Sequence, residues 1–351
     1  MRVAVIGAGI IGRLRAQAIR QGTNAELVGV MDPVRENAEE AAKGSSATIA
    51  TGLDEVLDLD PDAVVISSPV HYHEEAVVGA LERGAHVLCE KPLSNTVASC
   101  RRIVDSAVSN DRVLAVGFNH RYYPSIKYIR SVLEAGTIGD LDHVRVFGGH
   151  DGLGNFRADW QYKAPESGGG AMMDVGIHMT DLARHLVGEI TQVYGIQSNR
   201  IWKVEGSEDN AVAVFQTEGG VPIAYEATWS EWKGYRFYVE VYGDKGMVRG
   251  YYAPMFNLLV TQTEPGGPRA TKRLFYPQII LREKLKSWTS TALISFADEL
   301  RDFSAMISGA ENVPLATGFD GLRAVEVAEA VRRSSQTGEP VASMSVPRSD
   351  A

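Results

Sequence analysis

The sequence contains very little cysteine: Cys89 and Cys100 are the only two among 351 residues. Two thiols cannot form the set of bridges that holds a small secreted domain together, and their spacing does not fit a zinc-binding pair. We therefore predict reduced thiols, no metal site and a cytoplasmic location.

The chain also has no excess of positive charge and no long apolar run. Its 35 Lys and Arg residues are outnumbered by 44 Asp and Glu residues, which gives a formal net charge of -9, and the two signs are interspersed. A protein without a basic stripe is not expected to bind nucleic acid. The apolar run after Met1 is too short for a signal peptide, and charged or glycine residues interrupt every later run. These absences predict a water-soluble protein with no nucleic-acid or membrane partner.

The chain is long enough for two domains, and its pattern changes near residue 120. Up to about Phe118, short apolar runs alternate with amphipathic stretches, as in a parallel sheet with helical crossovers. The predicted strands are residues 3–6, 27–31, 63–67, 86–89 and 113–116, and the predicted helices are 12–20, 34–43, 74–83 and 97–109. We therefore predict a Rossmann-type doubly wound α/β domain over residues 1–120.

From residue 121 to residue 351, longer segments alternate apolar and polar residues, as in a mostly antiparallel sheet with one covered face. The predicted strands here are residues 141–147, 192–197, 211–217, 223–229, 237–242 and 258–263. Helices are predicted from Pro124 to Gly136 and over residues 175–186, 296–307 and 322–334, with hairpin turns at 219–220 and 243–246. This pattern predicts an α+β second domain.

A glycine pattern follows the first predicted strand. Gly7, Gly9 and Gly12 have the spacing G-x-G-x-x-G, with Ile10 and Ile11 before the last glycine. In such a turn the first glycine permits a tight bend, the second lets the backbone approach a pyrophosphate, and the third lets the helix pack on the strand. The N–H groups at the helix start then bind the phosphates. The pattern predicts a dinucleotide site, and the alternative is a glycine turn without a ligand.

Asp32 ends the second predicted strand, about twenty residues after the glycines. A carboxylate there can accept hydrogen bonds from the adenosine ribose and would repel a 2'-phosphate, which favours NAD over NADP. Arg35 lies close enough in sequence to supply a counter-charge, so NADP stays open. The alternative reading of Asp32 is a turn residue before Pro33.

Glu90, Lys91 and Pro92 follow a buried strand at the carboxyl edge of the predicted sheet, where open α/β sheets bind ligands. Pro92 disfavours a helical conformation at Lys91 and removes the next backbone donor, so the lysine can extend into the crevice. A lysine beside a nicotinamide can exchange a proton with a substrate hydroxyl. The alternative is that Glu90 and Lys91 form a solvated surface pair.

Asp174 and His178 are four residues apart in a segment that begins with Gly168, Gly169 and Gly170. A helix places residues at this spacing on one face, within side-chain reach. An aspartate can hold an imidazole in one tautomer and help it to relay a proton. The alternatives are a helix cap with an ordinary core histidine, and a metal site, for which no further ligand has suitable spacing nearby.

Together, these segments resemble the Gfo/Idh/MocA oxidoreductases, a family that includes glucose-fructose oxidoreductase and inositol dehydrogenase. The similarity covers nearly the whole chain: residues 5–12 resemble the family's opening, Glu90-Lys91-Pro92 its signature, and residues 168–178 its second-domain motif. The resemblance implies an open antiparallel sheet with helices on one face, whose exposed face forms a homodimer or homotetramer contact.

The resemblance also implies roles for individual residues. Lys91 would bridge cofactor and substrate, and Asp174 and His178 would bind the reacting hydroxyl, with His178 the usual acid/base group. It implies cofactor contacts from Ser67, Ser68, Pro69, His73, Glu90 and Asn119, and substrate contacts near Asn119 and from His120, Arg121, Arg157 and Trp160. Tyr276 and Trp232 are further candidates for substrate contact. One position departs from the pattern, because Val70 follows Pro69 where the family commonly has Asn.

The expected activity is reversible hydride transfer between a nicotinamide and a secondary alcohol or ketone of a sugar, a sugar derivative or an inositol. Either His178 or Lys91 would take the hydroxyl proton. Arg121 or Arg157 could instead bind a substrate phosphate or carboxylate. Two other functions stay open: an enzyme that never releases its cofactor and couples two sugar half-reactions, and a non-catalytic sensor of nicotinamide redox state. A sensor would not need the proton-transfer residues.

Overall fold

The computed structural model describes residues 1–152 and 158–343. In chain order, the strands are β1 Arg2–Ile6, β2 Glu26–Met31, β3 Thr48–Ala50, β4 Ala63–Ile66, β5 His86–Glu90, β6 Leu114–Gly117, β7 Leu141–Gly149, β8 Ile190–Ser198, β9 Asn210–Thr217, β10 Pro222–Thr228, β11 Arg236–Gly243, β12 Gly246–Tyr252, β13 Phe256–Gln262, β14 Arg269–Phe275, β15 Ala316–Thr317 and β16 Val341–Ala342.

The helices are α1 Ile10–Gly22, α2 Arg35–Ala42, α3 Leu53–Leu57, α4 His73–Glu82, α5 Val97–Ser109, α6 Pro124–Glu134, α7 Ala164–Ser167, α8 Ile177–Val187, α9 Pro277–Lys286, α10 Thr289–Ile307 and α11 Gly318–Thr337. Single turns of 3₁₀ helix occur at Val70–Tyr72, Asn119–Tyr122 and Asp159–Tyr162, and a π-helical turn at Met172–Gly176 leads directly into α8. No helix within the two described ranges combines the length and the apolar character needed to cross a membrane.

The first compact unit consists of Met1–Tyr122 and Arg282–Leu322. Its seven-stranded sheet has the order β15-β6-β5-β4-β1-β2-β3, and every neighbouring pair is parallel except β15 with β6. The central strands β1 and β4 are apolar along almost their whole length, because both faces of a parallel sheet are covered. The order of the strands reverses between β1 and β4, and ligands bind at the carboxyl edge of such a switch point.

The second compact unit consists of Tyr123–Leu281 and Arg323–Ala351, of which residues 153–157 and 344–351 are not described. Its nine-stranded sheet has the order β14-β13-β12-β11-β7-β10-β9-β8-β16, with β7 and β10 as its one parallel pair. Burial alternates along β8 and β9, so one face of these strands is covered and the other is exposed. A Cβ on Gly148 would lie 2.5 Å from Met179 Cγ, so this glycine allows α8 to approach β7 closely.

The predicted architecture is confirmed: a doubly wound parallel sheet in the N-terminal part and a mostly antiparallel sheet with helices in the C-terminal part. The elements that the sequence pattern did not predict have weak signals. Among them, β3, β15 and β16 are two or three residues long, and β14 carries charged, exposed residues as edge strands often do. In α9 only Ile279 is buried, so the apolar periodicity of a packed helix is missing.

Residues 282–322 belong to the first unit, whereas the predicted boundary at residue 120 assigned them to the C-terminal domain. Helix α10 carries Phe296, Ala297, Leu300 and Phe303 into the same apolar core as Ala18 and Ile19 of α1. Its approach to α1 is close, since a Cβ on Gly22 would lie 2.4 Å from Ala297 Cβ. A helix with an apolar face needs an apolar partner, but its own sequence does not say which one.

Candidate active site

The glycine turn after β1 has no room for side chains at two of its three glycines. Gly7 has a φ of +84°, and a Cβ there would lie 2.4 Å from the backbone nitrogen of Ser68. A Cβ on Gly12 would lie 1.8 Å from the carbonyl oxygen of Gly7. Because these neighbours are backbone atoms that cannot move away cheaply, the turn requires glycine at both positions.

The remaining glycine, Gly9, lies in open space. A Cβ there would have no neighbour within 4 Å. Gly9 is also the N-cap of α1, which has neither a side-chain cap nor an acidic residue in its first turn. The first N–H groups of a helix, at Ile10 and Ile11 here, have no intrahelical partner, and the helix dipole favours negative charge at this end. The turn therefore fits a pyrophosphate approaching closely over Gly9.

Asp32 links this turn to the loop after β2. Its buried carboxylate accepts hydrogen bonds from the N–H groups of Ala8, at 2.7 Å, and Val34, at 2.9 Å. Asp32 thereby fixes the turn and places a negative charge beside it. Arg35 is exposed and forms an ion pair with Glu39 at 2.9 Å, so its charge is already partly compensated. This arrangement agrees with NAD better than with a 2'-phosphorylated cofactor.

Two serines follow β4 with buried hydroxyl groups. Within the described residues, the Oγ atoms of Ser67 and Ser68 have no hydrogen-bond partner. Buried polar groups in native proteins almost always have a partner, so two neighbouring exceptions fit a ligand that supplies polar atoms. They lie beside Gly7, since a Cβ on Gly7 would approach the backbone of both serines. Pro69 continues this loop, and Val70 after it is buried.

His73 stands at the start of α4 and joins two loops at the edge of the sheet. Its Nε2 lies 2.9 Å from the carbonyl oxygen of Ser68, and its Nδ1 lies 3.1 Å from that of Pro92. The side chain is buried, and burial lowers the pKa of His73. Both ring nitrogens thus face protein atoms. His73 therefore connects the loop at Ser68 with the loop at Lys91–Pro92. Its predicted direct contact with the cofactor stays a prediction.

A buried ion cluster lies directly before Lys91. Arg15 of α1 is 0% exposed; its Nε donates to Glu90 Oε1 at 2.7 Å, and its Nη1 contacts Glu299 Oε2 of α10 at 2.5 Å. Its guanidinium also lies 3.8 Å over the ring of Phe296. Burial alone would lower the pKa of Arg15, but the two carboxylates outweigh this effect and the pKa is raised. Burial, followed by the charge of Glu90, raises the pKa of Glu299 to about 7, although Arg15 opposes this shift.

Lys91 is half-buried, and its backbone N–H lies 3.3 Å from Glu90 Oε2. The 3₁₀ turn after β6 carries His120, which is buried. Burial, and then the charge of Lys91, lowers the pKa of His120 to about 3, so its ring stays neutral near pH 7. The first unit therefore holds Lys91 and a neutral imidazole within electrostatic range of each other, both following strands at the carboxyl edge of the sheet.

Two other residues of this 3₁₀ turn bind protein atoms. Asn119 donates from Nδ2 to Ser295 Oγ at 2.9 Å. Arg121 is buried; its Nη1 lies 3.3 Å from the carbonyl oxygen of Pro314, and its Nη2 lies 3.5 Å from Asp320 Oδ2. Arg121 is thus part of an internal ion pair, and its predicted contact with substrate has no support from this geometry.

In the second unit, Asp174 lies in the π-helical turn before α8. Its Oδ2 accepts hydrogen bonds from His150 Nε2 at 2.8 Å and from Trp229 Nε1 at 3.0 Å. No sequence pattern marks His150, which follows β7, or Trp229, which follows β10. The only available signal was their position at the ends of two predicted strands. Turns of π-helix inside α-helices occur frequently at functional sites.

Glu208 fixes the start of this helical segment. Its carboxylate accepts hydrogen bonds from the N–H groups of Gly170, at 3.1 Å, and Met172, at 2.7 Å. A Cβ on Gly170 would lie 2.0 Å from the carbonyl oxygen of Glu208, which explains the glycine there. Burial raises the pKa of Glu208, although these backbone donors oppose the shift. Glu208 was not predicted, because its partners are 36 and 38 residues away.

His178 lies in the first turn of α8 and is buried. The carbonyl oxygen of Gly176, two residues before it, accepts a hydrogen bond from Tyr225 Oη at 2.8 Å. This bond ties the helix start to β10 of the sheet. The second unit therefore places a carboxylate and an imidazole one helical turn apart, on a segment held by Glu208 and Tyr225.

The remaining predicted substrate contacts also lie in the second unit. Tyr276 donates its hydroxyl to Asn257 Oδ1 at 2.6 Å, and burial raises the pKa of Tyr276 to about 12. Its hydroxyl group is thus committed to a protein partner. Trp160 is half-buried in a 3₁₀ turn, and Trp232 is 90% exposed. Arg157 lies outside the described residues.

Comparison with known families finds a separate match for each of the two parts of the chain. The family description "Oxidoreductase family, NAD-binding Rossmann fold" matches residues 1–118, and "GFO/IDH/MocA C-terminal domain" matches residues 126–249. The first range contains the glycine turn, the buried serines and Lys91. The second contains Asp174 and His178.

Individual relatives and structures are similar over most of the chain. Myo-inositol 2-dehydrogenase of Thermotoga maritima is 28% identical over 342 residues, which is 95% of this chain and 96% of the relative. Inositol 2-dehydrogenase 3 of Saccharopolyspora erythraea is 33% identical over 258 residues, 71% of this chain and 72% of the relative. The structure of levoglucosan dehydrogenase in complex with NADH has a TM-score of 0.85 at 23% identity, covering 99% of this chain and 100% of that one.

Proposed function

Since the chain belongs to the Gfo/Idh/MocA family and is an NAD-dependent oxidoreductase, we propose that it oxidises a secondary hydroxyl of an uncharged cyclic polyol, an inositol or a neutral sugar, to the ketone. The observation that carries the proposal is the carboxylate of Asp174 and the imidazole of His178, held one helical turn apart at a fixed helix start. The inositol dehydrogenases among the relatives support the substrate class.

The first unit would hold the cofactor. Gly7, Gly9 and Gly12 form the turn for the pyrophosphate, Asp32 lies where the adenosine ribose binds in such folds, and the Ser67 and Ser68 hydroxyls supply unpartnered polar groups. When bound, NAD supplies the hydride acceptor. The remaining tasks fall to the chain: it must orient the alcohol, exclude water and take up one proton.

We propose that Lys91, Asp174 and His178 act on the same hydroxyl group, as the resemblance implies. The alcohol carbon loses a hydride and its oxygen loses a proton, so the C–O bond becomes a carbonyl. Either His178 Nε2 or Lys91 Nζ accepts that proton, and Asp174 orients the group. A positioned acid/base group of this kind accelerates proton transfer by about 10²- to 10⁴-fold.

Of the two arginines named by the resemblance, only Arg121 lies within the described residues, and its commitment to protein partners supports an uncharged substrate. Arg121 contacts Asp320 and Pro314 inside the first unit, so a substrate phosphate or carboxylate would have to compete with these partners. A buried arginine taken from its partner leaves an uncompensated charge behind, which is costly.

A panel of substrates tests this proposal. The purified protein is incubated with NAD and, separately, with inositols, neutral hexoses, hexose phosphates and uronic acids, and the near-ultraviolet absorbance of NADH is followed. We expect reduction with one or more neutral compounds and little with charged ones. Turnover confined to phosphates or uronic acids would overturn the substrate class, and binding of NADH without any turnover would favour a sensor.

Gly9→Ala should weaken NADH binding about tenfold or more, equivalent to about 1.4 kcal/mol, without lowering the thermal midpoint. The added methyl group meets no protein atom, but it occupies the surface that a pyrophosphate would approach. Fluorescence titration with NADH and a thermal melt measure the two effects. Gly12→Ala is the matched control and should lower both NADH affinity and the thermal midpoint, since its Cβ collides with the backbone. Unchanged NADH affinity in Gly9→Ala would contradict the assigned pyrophosphate site.

We also propose that the exposed face of the nine-stranded sheet forms a homo-oligomer contact. Tyr194 and Ile196 on β8 lie opposite Val214 and Val212 on β9, and the four side chains are 43% to 61% exposed. Contiguous apolar patches on a water-exposed surface commonly mark protein contacts. A second copy would cover these side chains.

Ile196→Glu combined with Val214→Glu should reduce the mass measured by light scattering after gel filtration towards that of one chain. Two carboxylates per copy would be buried without partners in the contact. Val108→Glu is the matched control, because Val108 is 71% exposed on a helix of the first unit. A wild-type mass of one chain, or no change in the double variant, would count against the proposed face.

We propose that the reaction takes place in the cytosol. Both cysteines, Cys89 and Cys100, are buried, and neither forms a disulfide. Burial raises the pKa of Cys89 well above its usual value, so it stays protonated. Stable thiols suit a reducing compartment, where disulfides are rare.

A further inference from the structure

Asp174 receives two hydrogen bonds from residues that no family motif in the sequence includes. His150 follows β7 and Trp229 follows β10, and both side chains are buried. His150 Nε2 lies 2.8 Å from Asp174 Oδ2, and Trp229 Nε1 lies 3.0 Å from the same oxygen. One carboxylate oxygen thus has two N–H donors from two neighbouring strands of the sheet, which is more than a helix cap or a surface aspartate would need.

The tautomer of His150 follows from its second nitrogen. Nδ1 accepts a hydrogen bond from the backbone N–H of Gly152 at 3.1 Å, so Nδ1 carries the lone pair and Nε2 carries the proton. Nε2–H therefore donates to Asp174. Gly152 has a φ of +96°, and a Cβ on it would overlap the ring of Trp202. The backbone donor that sets the tautomer is thus held in place by close packing.

Trp229 is held from its backbone as well. Its N–H donates to the carbonyl oxygen of Asp209 at 2.7 Å, and its own carbonyl oxygen accepts from Trp202 Nε1 at 3.0 Å. Asp209 Oδ2 in turn accepts from the backbone N–H of Trp202 at 3.1 Å. Because its backbone is held and its side chain is buried, the indole of Trp229 has little freedom to turn away from Asp174.

We propose that His150 and Trp229 are positioning residues that fix the orientation of the Asp174 carboxylate for the reaction. This inference rests on the proposed role of Asp174. Two donors on one oxygen define the plane of the carboxylate, so the reacting hydroxyl meets it in one geometry instead of several. Groups that lock the reacting geometry act mainly on kcat, because small displacements at a reacting centre can cost about 10²-fold in rate.

Substitutions of His150 that remove or keep its N–H donor test the expected effect on kcat. His150→Leu removes the N–H, whereas His150→Gln keeps an amide donor close to the place of Nε2. In His150→Leu, we expect kcat to fall about 10- to 100-fold, whereas KM and NADH affinity should change less than threefold. In His150→Gln, most of the wild-type kcat should be restored. Equal losses in both variants, or a loss that appears only in KM, would overturn the proposal.

Nuclear magnetic resonance tests the geometry without any substrate. In ¹⁵N-labelled protein, we expect His150 as the Nε2–H tautomer, and we expect the indole N–H signal of Trp229 to shift in Asp174→Asn. Trp229→Phe assigns that signal, and Trp288→Phe, a half-exposed tryptophan of the first unit, is the control. An Nδ1–H tautomer, or a Trp229 signal that ignores Asp174→Asn, would overturn the network. If the wild type reduces NAD with no compound, the proposed function fails while these spectra still decide the bonding.

Discussion

Lys91→Ala should lower kcat for the best polyol by about 10²- to 10⁴-fold, the range expected for loss of a positioned proton-transfer group. Lys91 follows β5 at the edge where the glycine turn and the unpartnered serines lie, and the resemblance assigns it to both cofactor and substrate. The loss should therefore appear in kcat much more than in NADH affinity. Steady-state rates and a separate NADH titration distinguish the two.

Lys91→Arg separates charge from proton transfer. Arginine keeps the positive charge but cannot give up a proton near neutral pH, so it should not restore the rate if Lys91 transfers the proton. Lys43→Ala is the matched control, since Lys43 is 77% exposed on the surface of the same unit. Full turnover by Lys91→Ala would remove Lys91 from the mechanism and leave His178 as the proton acceptor. Recovery in Lys91→Arg would limit its role to electrostatics.

The parts of the fold that the sequence predicts are those with local causes. The turn at Gly7 and Gly12 follows from close contacts within a few residues of chain and one neighbouring strand, and the spacing of the glycines encodes it. Strands such as β1 and β4 appear as short apolar runs because both faces are covered. Helix α5 spans Val97–Ser109, the bounds that its amphipathic pattern predicts.

The parts that the sequence does not predict depend on distant partners. Glu299 contacts Arg15 across 284 residues, and His150, which follows β7, contacts Asp174 of the π-helical turn across 24 residues. Neither pair has a spacing that a helix or a hairpin would impose. Arg121 shows the opposite case, because its residue type suggested an anion site while its fold environment supplies Asp320 as partner.

The same reasoning applies to the substrate residues. Tyr276 suggested a stacking or hydrogen-bonding surface, yet its hydroxyl donates to the buried Asn257. Glu208 gave no sequence signal, yet it holds the glycine run that precedes Asp174. Residue type thus indicates what a side chain can do, and the partners decide what it does.

Arg15→Met should destabilise the first unit by about 3–5 kcal/mol at pH 8, because it leaves the buried carboxylate of Glu299 and the partly buried carboxylate of Glu90 without their cation. For a unit of this size, each kcal/mol lowers the thermal midpoint by roughly 2–4 °C. Glu90 and Glu299 both contact Arg15, which is fully buried. Methionine keeps much of the apolar volume, so the contact with Phe296 is partly preserved.

The effect of Arg15→Met on stability should depend on pH, and the direction follows from Glu299. In the wild type, the pKa of Glu299 is raised to about 7 from an ordinary value of 4.5, so the folded state binds the proton more tightly than the unfolded state. The contribution of Glu299 to stability is therefore fully present below pH 4.5 and is lost as the pH rises through 7. Arg15 opposes the rise in the pKa of Glu299, so without Arg15 the Glu299 carboxyl should bind its proton still more tightly. The deficit of Arg15→Met should hence shrink from pH 8 towards pH 5.

Adding Glu90→Gln and Glu299→Gln to Arg15→Met tests the cause. If uncompensated charge is the cost, the triple variant should recover part of the thermal midpoint at pH 8 and lose the pH dependence between pH 5 and pH 8, because a neutral amide costs less to bury than an unpaired carboxylate. A triple variant as unstable as Arg15→Met would assign the loss to packing against Phe296 instead. Since Glu90 precedes Lys91 directly, we expect the triple variant to fold but to turn over slowly, which would separate the stability of this cluster from its effect on the adjacent lysine.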